Sequence, residues 1–369
     1  MPVRINLPPA TRALLISQLA LSFLYNVARW RQLDEGPPTR GAQGTPIVPY
    51  LTLVPSMFYY YPWTILTATF VEQNIFTVLI NGATVFYGGK YLERAWGSKE
   101  FGKFILVAAL IPNTLMIVIY IFWGTVTGSS VRGLTQICGG VALQASFLVA
   151  FKQLVPEHTV TILKGIVKMR VKHFPAIFLL LNSISGIIFG TDTAAILAWL
   201  GLLTSWTYLR FFKYQPDLTG TSTNGLGFKG DASETFTFAT FFPDAIQPPI
   251  AFVTDQIYAF LVAVKVITPF SAEDIASSTE NAVARGQAGL PSLLSNAGGS
   301  ARGAGKREEA ERRRALALRA LDQRLQAATA SKPPALSSQP APAPSSTTAP
   351  TVSSGQNMLG ETTYTPDHS

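Results

Sequence analysis

The sequence predicts an all-α, multi-pass membrane protein, a bundle of six transmembrane helices followed by a polar C-terminal tail. Three observations carry this. Of 369 residues, 48% are hydrophobic and only 14% are charged, against roughly 25% charged in a soluble domain. The shortfall is confined to the region from about Ala13 to Phe212, where apolar runs follow one another. The basic residues also gather on alternate sides of those runs, as the topology of membrane proteins requires.

A helix needs about 20 mostly apolar residues to cross the hydrocarbon core. Six segments meet or approach this: Ala13–Ala28, Trp63–Gly88, Phe101–Trp123, Gln136–Phe151, Phe174–Gly190 and Thr193–Phe212. The first is read as a retained helix and not a signal peptide, because Tyr25-Asn26-Val27-Ala28-Arg29-Trp30 makes a poor cleavage site. The first, fourth and fifth are short, which suits a thin bilayer such as that of the early secretory pathway.

Charge gives the orientation. One side collects Arg4, Arg12, Lys90, Arg94, Lys99, Lys103, Lys152, Lys164, Lys168, Arg170, Lys172, Arg210 and Lys213; the other has Arg29, Arg31, Arg40 and Arg132. That is 13 against 4, and it places both termini in the cytosol. An even number of spans requires the same. Residues 1–12 are then a cytosolic N-terminus, 13–213 the membrane domain and 30–62 a lumenal loop. Tyr50, Phe58, Tyr59, Tyr60, Tyr61 and Trp63 suit that loop to a partly embedded position, where aromatic rings prefer the interface.

The net charge of +8 is explained by these loops, with no nucleic-acid partner implied. The single cysteine, Cys138, excludes an intrachain disulfide framework. His158, His173 and His368 all lie outside the apolar runs. No metal-ligand spacing and no cofactor motif is present; Gly225-Leu-Gly-Phe-Lys-Gly230 matches a dinucleotide motif in letters only, since no strand precedes it.

The second span and its exit carry Trp63, Thr67 and Phe70, then Asn81, then Gly89-Lys90-Tyr91-Leu92-Glu93-Arg94-Ala95-Trp96-Gly97. This resembles the rhomboid superfamily, with its W-x-x-x-T-x-x-F opening and its Leu-Glu-x-x-x-Gly signature; the resemblance extends over the six helices. A rhomboid protease adds a Ser on the fourth helix and a His on the sixth. Serine attacks only when a base within reach takes its proton, and a second-helix Asn and His help hold the oxyanion. Carried onto this sequence, the nucleophile falls on Cys138, the base on Trp199 and the oxyanion Asn on Asn81. The accompanying His positions fall on Thr77 and Glu72. Tryptophan has no basic nitrogen, so the resemblance implies a rhomboid-like bundle without proteolytic activity.

A further segment, Gly230-Asp231-Ala232-Ser233-Glu234-Thr235-Phe236-Thr237-Phe238-Ala239-Thr240-Phe241-Phe242-Pro243, is similar to the cytosolic segment of the transmembrane protein 115 family, as are Glu93, Arg94 and Gly97. That family resemblance implies a Golgi membrane protein acting in Golgi-to-endoplasmic-reticulum retrograde transport. It also implies self-association, membrane-protein clients and vesicle-tethering partners. From chemistry alone, Phe236, Phe238 and Phe241-Phe242 alternate like a strand with one apolar face, and exposed aromatics so placed are expected to dock on the ends of the helices.

The candidate polar site comprises Glu72, Thr77, Asn81 and Cys138. Glu72 is the one carboxylate inside a span, and an intramembrane acid is a functional candidate by default. Counted about two turns into its helix, it is expected to be interfacial and solvated. Two other functions rest on the same residues. An intramembrane protease would use Cys138 and need a hidden base; a transporter or channel would use Glu72, although no inverted repeat is visible. For helix packing, Gly186-Ile-Ile-Phe-Gly190 and Gly201-Leu-Leu-Thr-Ser205 are small-xxx-small pairs.

Residues 214–275 are expected to form a cytosolic juxtamembrane segment in which Ile246–Phe270 lies as an interfacial helix. Residues 276–369 read as a disordered tail, with one helix at 306–328 supported by the pairs Glu308 with Arg312 and Glu309 with Arg313.

Overall fold

A computed structural model of the chain describes residues 7–34, 46–156, 158–162, 167–215, 228–265, 269–271 and 274–283. The anticipated helix at 306–328 and most of the anticipated tail lie outside these residues. The architecture is helical. Its principal α-helices among the described residues are α1 (Pro9–Asp34), α2 (Thr64–Thr67), α3 (Ile75–Thr84), α4 (Lys90–Trp96), α5 (Ser98–Thr127), α6 (Ser130–Gly133), α7 (Val141–Leu154), α8 (Phe174–Phe189), α9 (Asp192–Thr207) and α10 (Gln247–Ala263). Two small antiparallel ribbons join β1 (Thr159–Ile162) to β2 (Val167–Arg170) and β3 (Tyr214–Gln215) to β4 (Phe228–Lys229). Residues 274–283 are also helical, so the anticipated tail does not begin as irregular chain at 276. The Ser271 hydroxyl accepts from the Asp274 N–H at 3.1 Å while the Asp274 carboxylate accepts from the Ser271 N–H at 3.1 Å, a reciprocal cap that starts the helix.

Three stretches among the described residues are long and apolar enough to cross a membrane: Ser98–Thr127, Val171–Phe189 and Asp192–Phe212. At about 1.5 Å per residue, α5 is longer than a bilayer core is thick, while the 14 residues of α7 fall short of one. Extended chain precedes α7. There Leu53 and Ile137 exchange both backbone hydrogen bonds (3.0 and 2.8 Å), and the Gly139 N–H donates to the Ala68 carbonyl at 3.0 Å. Non-helical backbone is tolerated at membrane depth only when protein satisfies it in this way. The apolar run suggests helix from Gln136; Gly139, with φ of +105°, takes a conformation that favours glycine and delays the helix to Val141.

The expected single helix Trp63–Gly88 is likewise broken. The chain runs α2, a 3₁₀ turn over Ala68–Phe70, and extended backbone from Val71, then α3. From Ile75 it is helical through a π-turn (Val85–Gly89) to the end of α4. The break is held by α1, whose Ser22 hydroxyl donates to the Phe70 carbonyl (3.2 Å) and accepts from the Glu72 N–H (3.0 Å). Asn113 of α5, beside the buried Pro112, donates to the Ile65 carbonyl at 2.6 Å and the Thr69 hydroxyl at 2.9 Å.

Helix α9 packs most extensively on α7, and then on α8 and α5. Gly201 makes the first crossing close, since a Cβ there would overlap the Ala142 carbonyl; Gly186 does the same against Ala195. The largest core joins Phe101, Phe104, Phe147, Leu202 and Leu209 to Phe236 and Phe241 of the segment after the last long helix. A second core, with Leu53, Met116, Tyr120, Ile137 and Leu197, fills the other end.

The segment Asp231–Pro243 docks on helix ends, as expected, although not as a strand. It forms 3₁₀ turns at Glu234–Phe236 and Ala239–Phe241, because its partners set the path. Trp206 donates to the Phe236 carbonyl (3.1 Å), and Arg210 donates to the carbonyls of Asp231 (2.6 Å) and Ser233 (2.7 Å). Lys152 reaches the Thr240 hydroxyl at 2.7 Å and lies 3.4 Å over the Phe241 ring. Gly230, with φ of +84°, lets the chain turn tightly against Arg210. Helix α10 begins with Pro248 and Pro249, buries no residue, and stacks Tyr258 on Phe211.

Candidate functional site

The break between α2 and α3 delivers Glu72 into the interior. Glu72 is only 6% exposed, which corrects the expectation of a solvated, interfacial acid: counting turns measures depth only along a continuous helix, and this one is interrupted. Glu72 Oε1 accepts from the Gly140 N–H at 2.7 Å and from Asn81 Nδ2 at 3.1 Å. Gly140 must be small, because a Cβ there would overlap the Asn81 amide. Glu72 and Asn81 of one segment and Gly140, 68 residues beyond Glu72, thus meet on one carboxylate oxygen.

Around it the polar groups extend. Gln73 Nε2 donates to Cys138 Sγ at 3.0 Å, and Gln136 Nε2 donates to Thr52 Oγ1 at 2.8 Å and to the Tyr25 hydroxyl at 3.4 Å. The Thr77 hydroxyl donates to the Asn74 carbonyl at 2.8 Å. A cavity of about 250 Å³ opens here, walled by Glu72, Gln73, Asn74 and Thr77 on one side, Gln136, Cys138 and Gly139 on another, and Thr191, Thr193 and Ala194 on the third.

Of the residues singled out from sequence, Glu72, Thr77 and Cys138 line this cavity, and Asn81 supports it from behind. Trp199 is not among the lining residues; its indole N–H donates to Ser183 Oγ at 3.0 Å and ties α9 to α8. His158 and His173 lie outside the cavity. Among the described residues no group of three or more metal-binding side chains forms. Sequence reasoning missed Ser22, Gln73 and Tyr25. Ser22 was legible as a lone hydroxyl in an apolar run, but its partners were not.

The motif residues form a separate structure. Glu93 receives the backbone N–H groups of Ala10 (3.0 Å) and Thr11 (2.7 Å), the Thr11 hydroxyl (2.7 Å) and the Ser98 hydroxyl (2.6 Å). A carboxylate from α4 therefore caps the N-terminus of α1, where free N–H groups and the helix dipole favour negative charge. Burial by itself would raise the Glu93 carboxyl; the hydrogen bonds from Ser98, Ala10 and Thr11 outweigh it and hold the group below the usual carboxylate range. Gly97 joins α4 to α5 with φ of +84° and ψ of 156°, a region open essentially to glycine alone. Asp231 binds its own segment together, accepting from the Ser233 N–H and hydroxyl and from Gln153 Nε2 at 2.9 Å.

Fold and site together describe a helical-bundle membrane protein with a buried carboxylate at its polar centre. The chain belongs to the transmembrane protein 115 family. Residues 12–327 match the family described as "Eukaryotic integral membrane protein (DUF1751)". The chain is 31% identical over 291 residues to the Transmembrane protein 115 homolog of Saccharomyces cerevisiae, covering 75% of this chain and 80% of that one. It is 31% identical to mouse (Mus musculus) Transmembrane protein 115, covering 71% of this chain and 67% of that one. It is 32% identical to Rhomboid-like protein 19 of Arabidopsis thaliana over 56% of this chain and 65% of that one. None of these names is that of an enzyme.

Proposed function

We propose that this protein is a non-catalytic rhomboid-like scaffold of the Golgi membrane that binds membrane-protein clients at the Glu72 cavity and serves Golgi-to-endoplasmic-reticulum retrograde transport. It crosses the bilayer six times with both termini in the cytosol, self-associates, and presents the Asp231–Pro243 face to vesicle-tethering proteins. Localisation and transport role rest on family resemblance. The cavity reading rests on geometry, and one observation supports it most. Asn81 occupies the place that the rhomboid resemblance gives to an oxyanion donor, yet its Nδ2 and the Gly140 N–H already bind the Glu72 carboxylate. A second negative charge developing beside that carboxylate would be repelled, whereas charge stabilisation in hydrolysis needs donors held open for it. The arrangement suits holding a ligand better than cleaving one.

The test places a photocrosslinking amino acid at Thr77 in the full-length protein, with Leu110 on the outer face of α5 as control, in intact Golgi membranes. The expected result is light-dependent adducts with defined membrane proteins from Thr77 and none from Leu110. Adducts with lipid alone from both positions, or shortened client fragments that disappear in Cys138→Ala, would sink the scaffold reading.

A further inference from the structure

We propose that the Glu72 cavity binds a cationic hydrogen-bond donor, an ammonium or guanidinium group carried at that depth by a membrane-spanning partner helix. The proposal deepens the client-binding reading and rests on it. Four observations carry the assignment. Glu72 is buried, and the ion pairs among the described residues, Lys103 with Glu100 and Arg132 with Asp192, do not include it. No Lys, Arg or His lines the cavity among the described residues. The Gly140 N–H and the Asn81 amide bind one of its oxygens but supply no counter-charge, and ionising a carboxyl in a low-dielectric interior without a counter-charge is costly. A cation entering the cavity would remove that cost.

The second observation is an excess of acceptors. Gln136 lines the cavity and is 3% exposed, and its Oε1 takes no hydrogen bond among the described residues. Cys138 Sγ is an acceptor already held by Gln73. The site therefore asks for a ligand rich in N–H donors, and Lys and Arg carry three and five with no acceptor. Third, the volume of about 250 Å³ is on the scale of a side chain, which suits a ligand that is the end of a side chain whose backbone stays outside. Fourth, the rim provides for that backbone. Asn74 and Thr77 are exposed at the mouth, and the same helix turns its exposed Ile75, Phe76, Leu79 and Ile80 outward. A partner helix lying on that apolar face would extend one long basic side chain over the rim to Glu72, in the way such side chains snorkel toward polar groups.

The experiment uses the full-length protein in phosphatidylcholine nanodiscs and fluorescent single-span Leu/Ala peptides of about 23 residues. The peptides carry Lys, Leu or Glu at one position, moved along the peptide in successive versions. At one depth the Lys peptide is expected to bind about 30-fold or more tighter than the Leu peptide, the scale at which a buried charge pair is lost on truncation. The Glu peptide should bind more weakly than either. In Glu72→Gln, which keeps an acceptor for Gly140, Lys binding should fall to the level of Leu. Equal binding of the three peptides to the unmodified protein at every depth would overturn the proposal, without relying on any variant to fold. A Lys preference that survives Glu72→Gln would overturn it too. Lipid ethanolamine offers the same ammonium chemistry. If adding phosphatidylethanolamine abolishes the Lys preference, the occupant is lipid and the partner-helix assignment falls. Client adducts from Thr77 that persist in Glu72→Gln would leave the client-binding reading standing while the cationic one fails.

Discussion

At the scale of single residues, Gly140 and Asn81 show how closely the polar centre is built. The Asn81 amide fills the space that any larger residue at 140 would need, so Gly140→Ala must displace the donor that holds Glu72. Overpacking of this kind costs about 1–3 kcal/mol. At Gly82, the next residue on α3, an added Cβ would meet nothing within 4 Å. Gly82→Ala should therefore be neutral or stabilise by about 0.5–1 kcal/mol through helix propensity. Thermal unfolding of the two variants in detergent checks the contrast; equal midpoints would mean that the Gly140 contact carries no weight. Asn81 and Cys138 were legible only through the rhomboid resemblance, and Glu72 as a rare intramembrane acid. The burial of Glu72 was not legible, because it depends on Ser22 and Gly140, which lie 50 and 68 residues away.

At the scale of elements, Glu93 couples α4 to the start of α1. Its folded-state titration lies below the unfolded value, so its contribution is fully present above the ordinary carboxylate pKa of about 4.3. That contribution is lost as pH falls through that value toward the lower folded one. Glu93→Gln should cost about 1 kcal/mol at neutral pH, the usual scale of a lost helix cap. The difference from the unmodified protein should shrink in acid. Unfolding midpoints measured across that range decide it, and a gap independent of pH would exclude the cap as its source. Hydropathy located the cores of α1, α5, α8 and α9 well, since long apolar runs need no partner to be recognised. It missed the break before α3, where backbone groups find partners on other segments. It also gave Asp231–Pro243 a strand's alternation, when Trp206, Arg210 and Lys152 fold that segment into 3₁₀ turns.

At the scale of the whole molecule, three stretches among the described residues are long and apolar enough to span alone, and the rest of the proposed topology depends on packing. The excess of basic residues on one side predicts that tags at both ends are degraded by protease added to sealed, cytosol-side-out membrane vesicles. Glycosylation sites inserted in the 35–45 region should be modified. Sites placed after α10 should remain unmodified, because an interfacial α10 keeps the chain beyond it in the cytosol; modification there would mean that α10 crosses. The mirror-image result, with modified sites at the termini, would reject the orientation. The chain's apolar character and its long helices were readable from composition, because apolar runs are written locally. The extended path before the short fourth helix was not, since that chain borrows its hydrogen bonds from Leu53 and Ala68.

That borrowing has a direction in time. The acceptors for the N–H groups of Ile137, Gly139 and Gly140 are the carbonyls of Leu53 and Ala68 and the carboxylate of Glu72, and each precedes its donor in the chain. During synthesis from the N-terminus, these acceptors are already made when residues 137–140 emerge, and the Leu53 N–H, which donates back to Ile137, is the group that waits. In the reverse order, three N–H groups would wait in place of one. A circular permutant that begins at α5 and delivers residues 46–72 last would thus have to hold this stretch out of the bilayer until its partners arrived.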